Sequence, residues 1–79
     1  MDENEERMIF KILPKPNEYV EISYYFQKDE NEILKELRRL YREDYLIYIP
    51  TIPNTKGHSG YILSKKGEEL YRYLGSKFG

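Results

Sequence analysis

Five residues carry the most specific chemistry in this chain. Asn31, Lys35, Arg38, Arg39 and Arg42 recur at i, i+4, i+7, i+8 and i+11. At about 100° per residue they form one basic ridge on a helix, opposite a stripe of leucines. A duplex major groove admits one helix, where Arg or Lys donates to guanine and Asn pairs with adenine. A solvated outer face, paired to Glu32, Glu36 and Glu43, has the same spacing. A second set lies further on. Lys56 and His58, beside Gly57, Gly60, Asn54 and Thr55, offer backbone N–H groups and a cation to phosphate, or a tip for a minor groove. The plainer reading is an ordinary hairpin tip. Lys65 and Lys66 open a third site, a helix start that is either a phosphate clamp or simply solvated.

No catalytic constellation accompanies them. The chain has no cysteine, one histidine and no acid pair isolated from neighbouring bases. Its glycines lack phosphate-loop spacing. His58 has no second His or Cys to complete a metal site. The expectation is a protein that is not an enzyme and carries no cofactor.

At 79 residues the chain is expected to form one domain with a thin core. Its net charge of −1 hides an asymmetry. Met1 to Asp44 holds twelve acids and eight bases, whereas Tyr45 to Gly79 holds two acids and five bases. Without an apolar run of about 18 residues or a basic, apolar leader, the chain reads as soluble and cytoplasmic.

The ridge needs elements to position it. Met8, Ile9, Ile12 and Leu13 predict a helix from Glu3 to Leu13, stopped by Pro14 and Pro16. Tyr19, Ile22, Ser23 and Phe26 have helical spacing over Glu18–Gln27, although the β-rich composition there also suits a strand. The helical reading is preferred. Asp29 as N-cap and Glu32 as its capping-box partner predict the third helix, about Glu30 to Glu43. Ile33, Leu34, Leu37, Leu40 and Tyr41 form its apolar stripe. Tyr45 to Ile52 reads as a strand that Pro50 and Pro53 confine to a sheet edge, and Tyr61–Leu63 as its partner. Ser64 caps a last helix, Lys65 to about Lys77. The order makes an α+β domain.

Two stretches carry a resemblance. Ile33 to Ile47, ILKELRRLYREDYLI, resembles the recognition helix and its exit in winged helix-turn-helix regulators. Tyr61 to Gly67, YILSKKG, is similar to their second wing strand and the start of their closing helix. The likeness is to small regulators of the MarR, ArsR and PadR kinds and to short archaeal and archaeal-virus winged-helix proteins. It implies three helices, a two-stranded β-hairpin wing and a C-terminal helix. It also implies DNA binding and transcriptional control, usually as a homodimer. Helix 30–43 would enter the major groove, and the wing, about 46–63, would meet the backbone or minor groove. The helix-start positions that touch bases in the family are Asp29, Glu30, Asn31 and Glu32 here, three of them acidic. That moves the expected contact to the ridge from Lys35 to Arg42 and to the wing. Asp44 stands where the family usually has glycine. Surplus tyrosines, Tyr24, Tyr25, Tyr48, Tyr71 and Tyr73, are expected to be partly core, and those outside it suit a dimer interface, for which the first and last helices are the natural surface. The competing expectation is a winged-helix interaction module without DNA binding, for which the acidic N-terminal half speaks.

Overall fold

The computed structural model describes residues 2–22 and 31–79. The expected cap Asp29 and residues 23–27 of the expected second helix lie outside them. The elements are α1 (Glu3–Ile12), β1 (Val20–Glu21), α2 (Asn31–Arg42), β2 (Leu46–Ile49), β3 (Gly60–Leu63) and α3 (Lys65–Phe78). The fold is α+β, with one antiparallel sheet in the order β1-β3-β2.

Helix α1 starts where Asp2 accepts from the Glu5 N–H at 2.8 Å, with Glu3, Glu5 and Glu6 in the first turn. Both features offset the unpaired amides and positive dipole of a helix start. It ends as Leu13 turns extended ahead of Pro14.

The stretch after Pro16 departs from the expected helix over Glu18–Gln27. Val20 and Glu21 form a strand paired with Tyr61 and Gly60, and the Ile22 N–H donates to the Ser59 carbonyl at 3.1 Å. Val20 is buried and Tyr19 exposed. A ladder to a strand some forty residues away outweighs a local i, i+3 pattern, and the β-rich composition suits it. The sheet therefore has three strands rather than two.

Leu37 and Leu40 of α2, Ile9 and Ile12 of α1, Leu74 of α3 and Leu46, Tyr61 and Leu63 of the hairpin meet in one core. Leu34, Leu37 and Leu40 are buried as the stripe requires, but Tyr41, expected with them, is 45% exposed.

Helix α2 closes on Asp44, which sits at φ +67°. The Asp44 N–H donates to the Tyr41 carbonyl at 3.1 Å, and the Tyr45 N–H to that of Leu40 at 2.9 Å. This double bond around a left-handed residue is the Schellman ending that glycine usually serves. Asp adopts the left-handed conformation at a steric cost of about 1 kcal/mol. Asp44→Gly is expected to raise stability by roughly 0.5 kcal/mol, after glycine's greater freedom in the unfolded chain is deducted. Urea unfolding followed by circular dichroism measures this. A lower midpoint would contradict the assigned ending.

Helices α1 and α3 are joined by more than apolar contact. Phe10 stacks near Tyr71 and Phe78, with ring centroids 5.4 and 6.4 Å away. The carboxylate of Glu6, a buried acid, receives Lys77 Nζ at 2.8 Å. The Lys77 hydrogen bond holds the Glu6 carboxyl below its ordinary value of 4.5, and the same bond raises the Lys77 ammonium above 10.5. A lowered acid contributes stability above its unfolded value and loses it as pH falls; a raised base contributes below its unfolded value and loses it as pH rises. The clamp therefore holds fully between these limits. In thermal melts from pH 3 to 7, Glu6→Gln is expected to melt lower than the parent near neutrality. The difference should shrink as pH drops below 4.5, and a constant difference would contradict the pairing.

Candidate nucleic-acid interface

The five ridge residues separate on the folded helix. Asn31 is the first residue of α2. Lys35, Arg38 and Arg42 are exposed along one stripe. Lys35 Nζ lies 3.4 Å from a Glu32 oxygen, with both side chains mostly solvated, so the pair is weak and readily exchanged. Arg38 and Arg42 have no ion-pair partner among the described residues.

Arg39 faces the other way. Its Nε donates to Glu36 Oε1 at 2.9 Å, its guanidinium also pairs with Glu43, and Glu5 of α1 lies at 3.4 Å. The Glu36 hydrogen bond raises its pKa, burial opposes it in part, and the charges of Glu36, Glu43 and Glu5 add to the rise. Three carboxylates thus hold this arginine as a brace between α1 and α2. The solvated-face reading describes Arg39; the free-cation reading describes Arg38 and Arg42.

Beside the free stripe lie three tyrosines. Tyr48 and Tyr61 are cross-strand partners, and Tyr41 of α2 leans on both. Ring centroids are 6.5 Å for Tyr41–Tyr48, 5.6 Å for Tyr41–Tyr61 and 5.9 Å for Tyr48–Tyr61. Tyr61 is the buried floor, whereas Tyr48 is 43% exposed, close to Tyr41. Burial pushes the Tyr61 hydroxyl above its usual range, while the positive charges of Arg38 and Arg42 act to lower it. Arg38, one helical turn before Tyr41, and Arg42, next to it in the chain, are exposed on the same helix. Sequence reasoning placed Tyr41 in the core stripe and left Tyr48 to either the core or a dimer surface. The signals that lead to the cluster are Tyr41 three residues from Arg38 and Tyr48 two residues from Leu46, on the strand face that meets α2.

The remaining candidates divide similarly. Lys56 is exposed in the loop joining β2 to β3, and Lys65 is exposed as the first residue of α3. The loop is braced: the Ile52 N–H donates to the His58 carbonyl at 2.7 Å and Thr55 Oγ1 to the Ile52 carbonyl at 2.6 Å. Asn54 and Gly57 take left-handed conformations, φ +65° and +78°. His58 Nδ1 lies 3.0 Å from Glu21 Oε2, which ties the loop to β1. Lys66 Nζ donates to the Glu43 carbonyl at 2.9 Å and sits 4.4 Å above the Tyr45 ring. A cation at a helix C-terminus offsets the dipole there. His58 and Lys66 thus have partners within the fold, and Lys56 and Lys65 are exposed.

The same junction explains the YILSKKG stretch. Ser64 Oγ accepts from the Gly67 N–H at 3.0 Å, capping α3, and donates to the Asp44 carbonyl at 2.5 Å. The Ser64 N–H donates to the Tyr45 carbonyl at 3.1 Å. Gly67 packs directly on that carbonyl, where a Cβ would collide with its oxygen. The carbonyls of Glu43, Asp44 and Tyr45 are all bound from Ser64–Lys66, which fixes the hairpin base against the end of α2.

Among the described residues no three His, Cys, Asp or Glu side chains are grouped to hold a metal ion. No helix among them is long and apolar enough to cross a membrane. Comparisons with protein families, curated proteins and solved structures found no match for this chain.

Proposed function

We propose that this chain is a winged-helix domain that binds duplex DNA as a transcriptional regulator, with α2 in the major groove and the β2–β3 hairpin as its wing. The observation that carries this reading is the exposed stripe of Lys35, Arg38 and Arg42 on one helix, with Arg38 and Arg42 unpaired among the described residues. Unpaired cations on a convex helix suit phosphate and base edges, whereas paired ones do not. Lys56 on the loop and Lys65 at the start of α3 supply further phosphate contacts in this reading. The element order from α2 through the hairpin to α3 agrees with the resemblance.

Retardation of a random-sequence duplex in a mobility-shift titration tests it. The complex should form at low salt and dissociate steeply as salt rises, because bound phosphates release counterions. No retardation at low salt would overturn the proposal.

In the same reading the protein is a homodimer through α1 and α3. Met8 of α1 and Tyr73 of α3 remain exposed after those helices pack on each other, at 39% and 53%. A monomeric mass in light scattering at micromolar concentration would remove this part. An interaction module without DNA binding is the second reading, favoured by Ile47, which is 46% exposed on the sheet face opposite Tyr48.

A further inference from the structure

We infer that Tyr41 and Tyr48, flanked by Arg38 and Arg42, form a stacking platform for unpaired nucleobases, so that the surface proposed above also takes single-stranded DNA. The inference rests on the nucleic-acid reading of that surface and adds the form of nucleic acid it accepts.

The three tyrosines play unequal parts. Tyr61 is 4% exposed and packs in the core. Tyr41 and Tyr48 lean on it yet leave nearly half of their surface in water. Rings needed only for packing would be covered as Tyr61 is. Here two aromatic side chains are held in place by a third and offered to solvent, with little freedom left to lose on binding. Tyr41 and Tyr48 meet at 65°, so their rings are fixed at an angle to each other rather than stacked flat.

Charge selects the occupant. Arg38 and Arg42 lie on the same exposed side of α2 as Tyr41 and have no ion-pair partner among the described residues. Their charges reach Tyr61 beneath the two exposed rings. Aromatic rings interleaved with free guanidinium groups match a polyanion that also presents flat π faces. A paired duplex hides those faces within its stack, whereas an unpaired strand exposes them. An apolar protein partner would leave the two arginines without a counter-charge.

The test uses the full chain and three fluorescein-labelled probes: a 20-nucleotide mixed-sequence single strand, its duplex, and that duplex with a central unpaired bubble. Anisotropy at low salt gives each affinity. The chain has no tryptophan and nine tyrosines, so stacking is read as the part of the tyrosine quenching that is lost in the Tyr41 and Tyr48 variants. The expected result is single-strand and bubble binding with quenched tyrosine emission. Tyr48→Ala and Tyr41→Ala should each weaken single-strand binding by about five- to 150-fold. Duplex binding should stay within about twofold, and Tyr48→Phe should bind the single strand as the parent does. Tyr48→Leu keeps the apolar bulk without the π face; it should behave as Tyr48→Ala and serves if the alanine variant does not fold.

Unchanged single-strand affinity in a folded Tyr48→Ala or Tyr48→Leu variant would overturn the inference, as would equal losses on duplex and single strand. Salt-sensitive duplex binding with no tyrosine-dependent single-strand binding would leave the proposed function standing and this inference refuted. Tyrosine-dependent single-strand binding without duplex binding would do the reverse. Binding to none of the probes would refute both.

Discussion

Gly67→Ala is expected to destabilise the protein by about 3 kcal/mol, a large part of what so small a domain possesses. Alanine is the better helix former by about 1 kcal/mol, so local propensity alone gives the opposite sign. Packing decides. A Cβ on Gly67 would collide with the Tyr45 carbonyl oxygen and approach its carbon to 3.0 Å. That carbonyl cannot retreat, because it accepts from the Ser64 N–H while the Tyr45 N–H is bound to Leu40. The collision must therefore be relieved by moving α3 or the end of α2. The expected fall in melting temperature is roughly 12–24 °C for a chain of this length. Gly75→Ala is the control. Its Cβ would meet only Phe10 Cε1, at 3.9 Å, so the gain in helix propensity should be kept and the melting temperature should rise. If Gly67→Ala melts at or above the parent, the packing of α3 on Tyr45 is wrong.

The second large effect separates two kinds of arginine. In the Arg38→Ala, Arg42→Ala double variant, duplex affinity at about 0.1 M salt should fall by on the order of 50-fold, and the slope of log affinity against log salt should shrink by about 1.8. Stability should change little, because neither side chain is tied to another group among the described residues. Arg39→Ala should do the opposite. It leaves Glu36, whose side chain is only 15% exposed, and Glu43 and Glu5 without their shared cation. The melting temperature should fall, while folded protein should keep its duplex affinity within about threefold and its salt slope unchanged. A salt slope that drops with Arg39→Ala and holds in the double variant would reverse the assignment of free and braced arginines.

The contrast shows where sequence reading stops. Spacing along one helix was enough to bury Leu34, Leu37 and Leu40 and to put Lys35, Arg38 and Arg42 outside, because helical period is a local property. Pro14 as a stop, Ser64 as a cap and the pairing of a strand within Tyr45–Ile52 with one at Tyr61–Leu63 were legible for the same reason, although β2 ends at Ile49. Two of the three acids on Arg39, Glu36 and Glu43, were legible at i−3 and i+4 on its own helix. The third, Glu5, lies thirty-four residues earlier and depends on the side from which α1 approaches, which nothing in the period of α2 contains. Val20–Glu21 failed similarly: two strand residues are specified by the partner Tyr61–Gly60, and the helical spacing of Tyr19 and Ile22 was the louder local signal. The departure at Asp44 was visible as a missing glycine, but the bonds that accommodate it involve only backbone atoms, of Leu40, Tyr41, Asp44 and Tyr45. Tyr41 was misplaced because a tyrosine at the border of an apolar stripe fits either side, and the hairpin leaves its outer part uncovered.

The three bound carbonyls at the end of α2 have a consequence for how the protein opens. Glu43, Asp44 and Tyr45 each take a donor from the segment Ser64 to Lys66. The last turn of α2 therefore cannot fray without also releasing the start of α3 and the base of the hairpin. Helix ends ordinarily fluctuate at little free-energy cost, each by itself. Here three element ends are merged into one cooperative unit. Amides at this junction are therefore expected to exchange with solvent together, in rare concerted openings rather than by frequent independent ones.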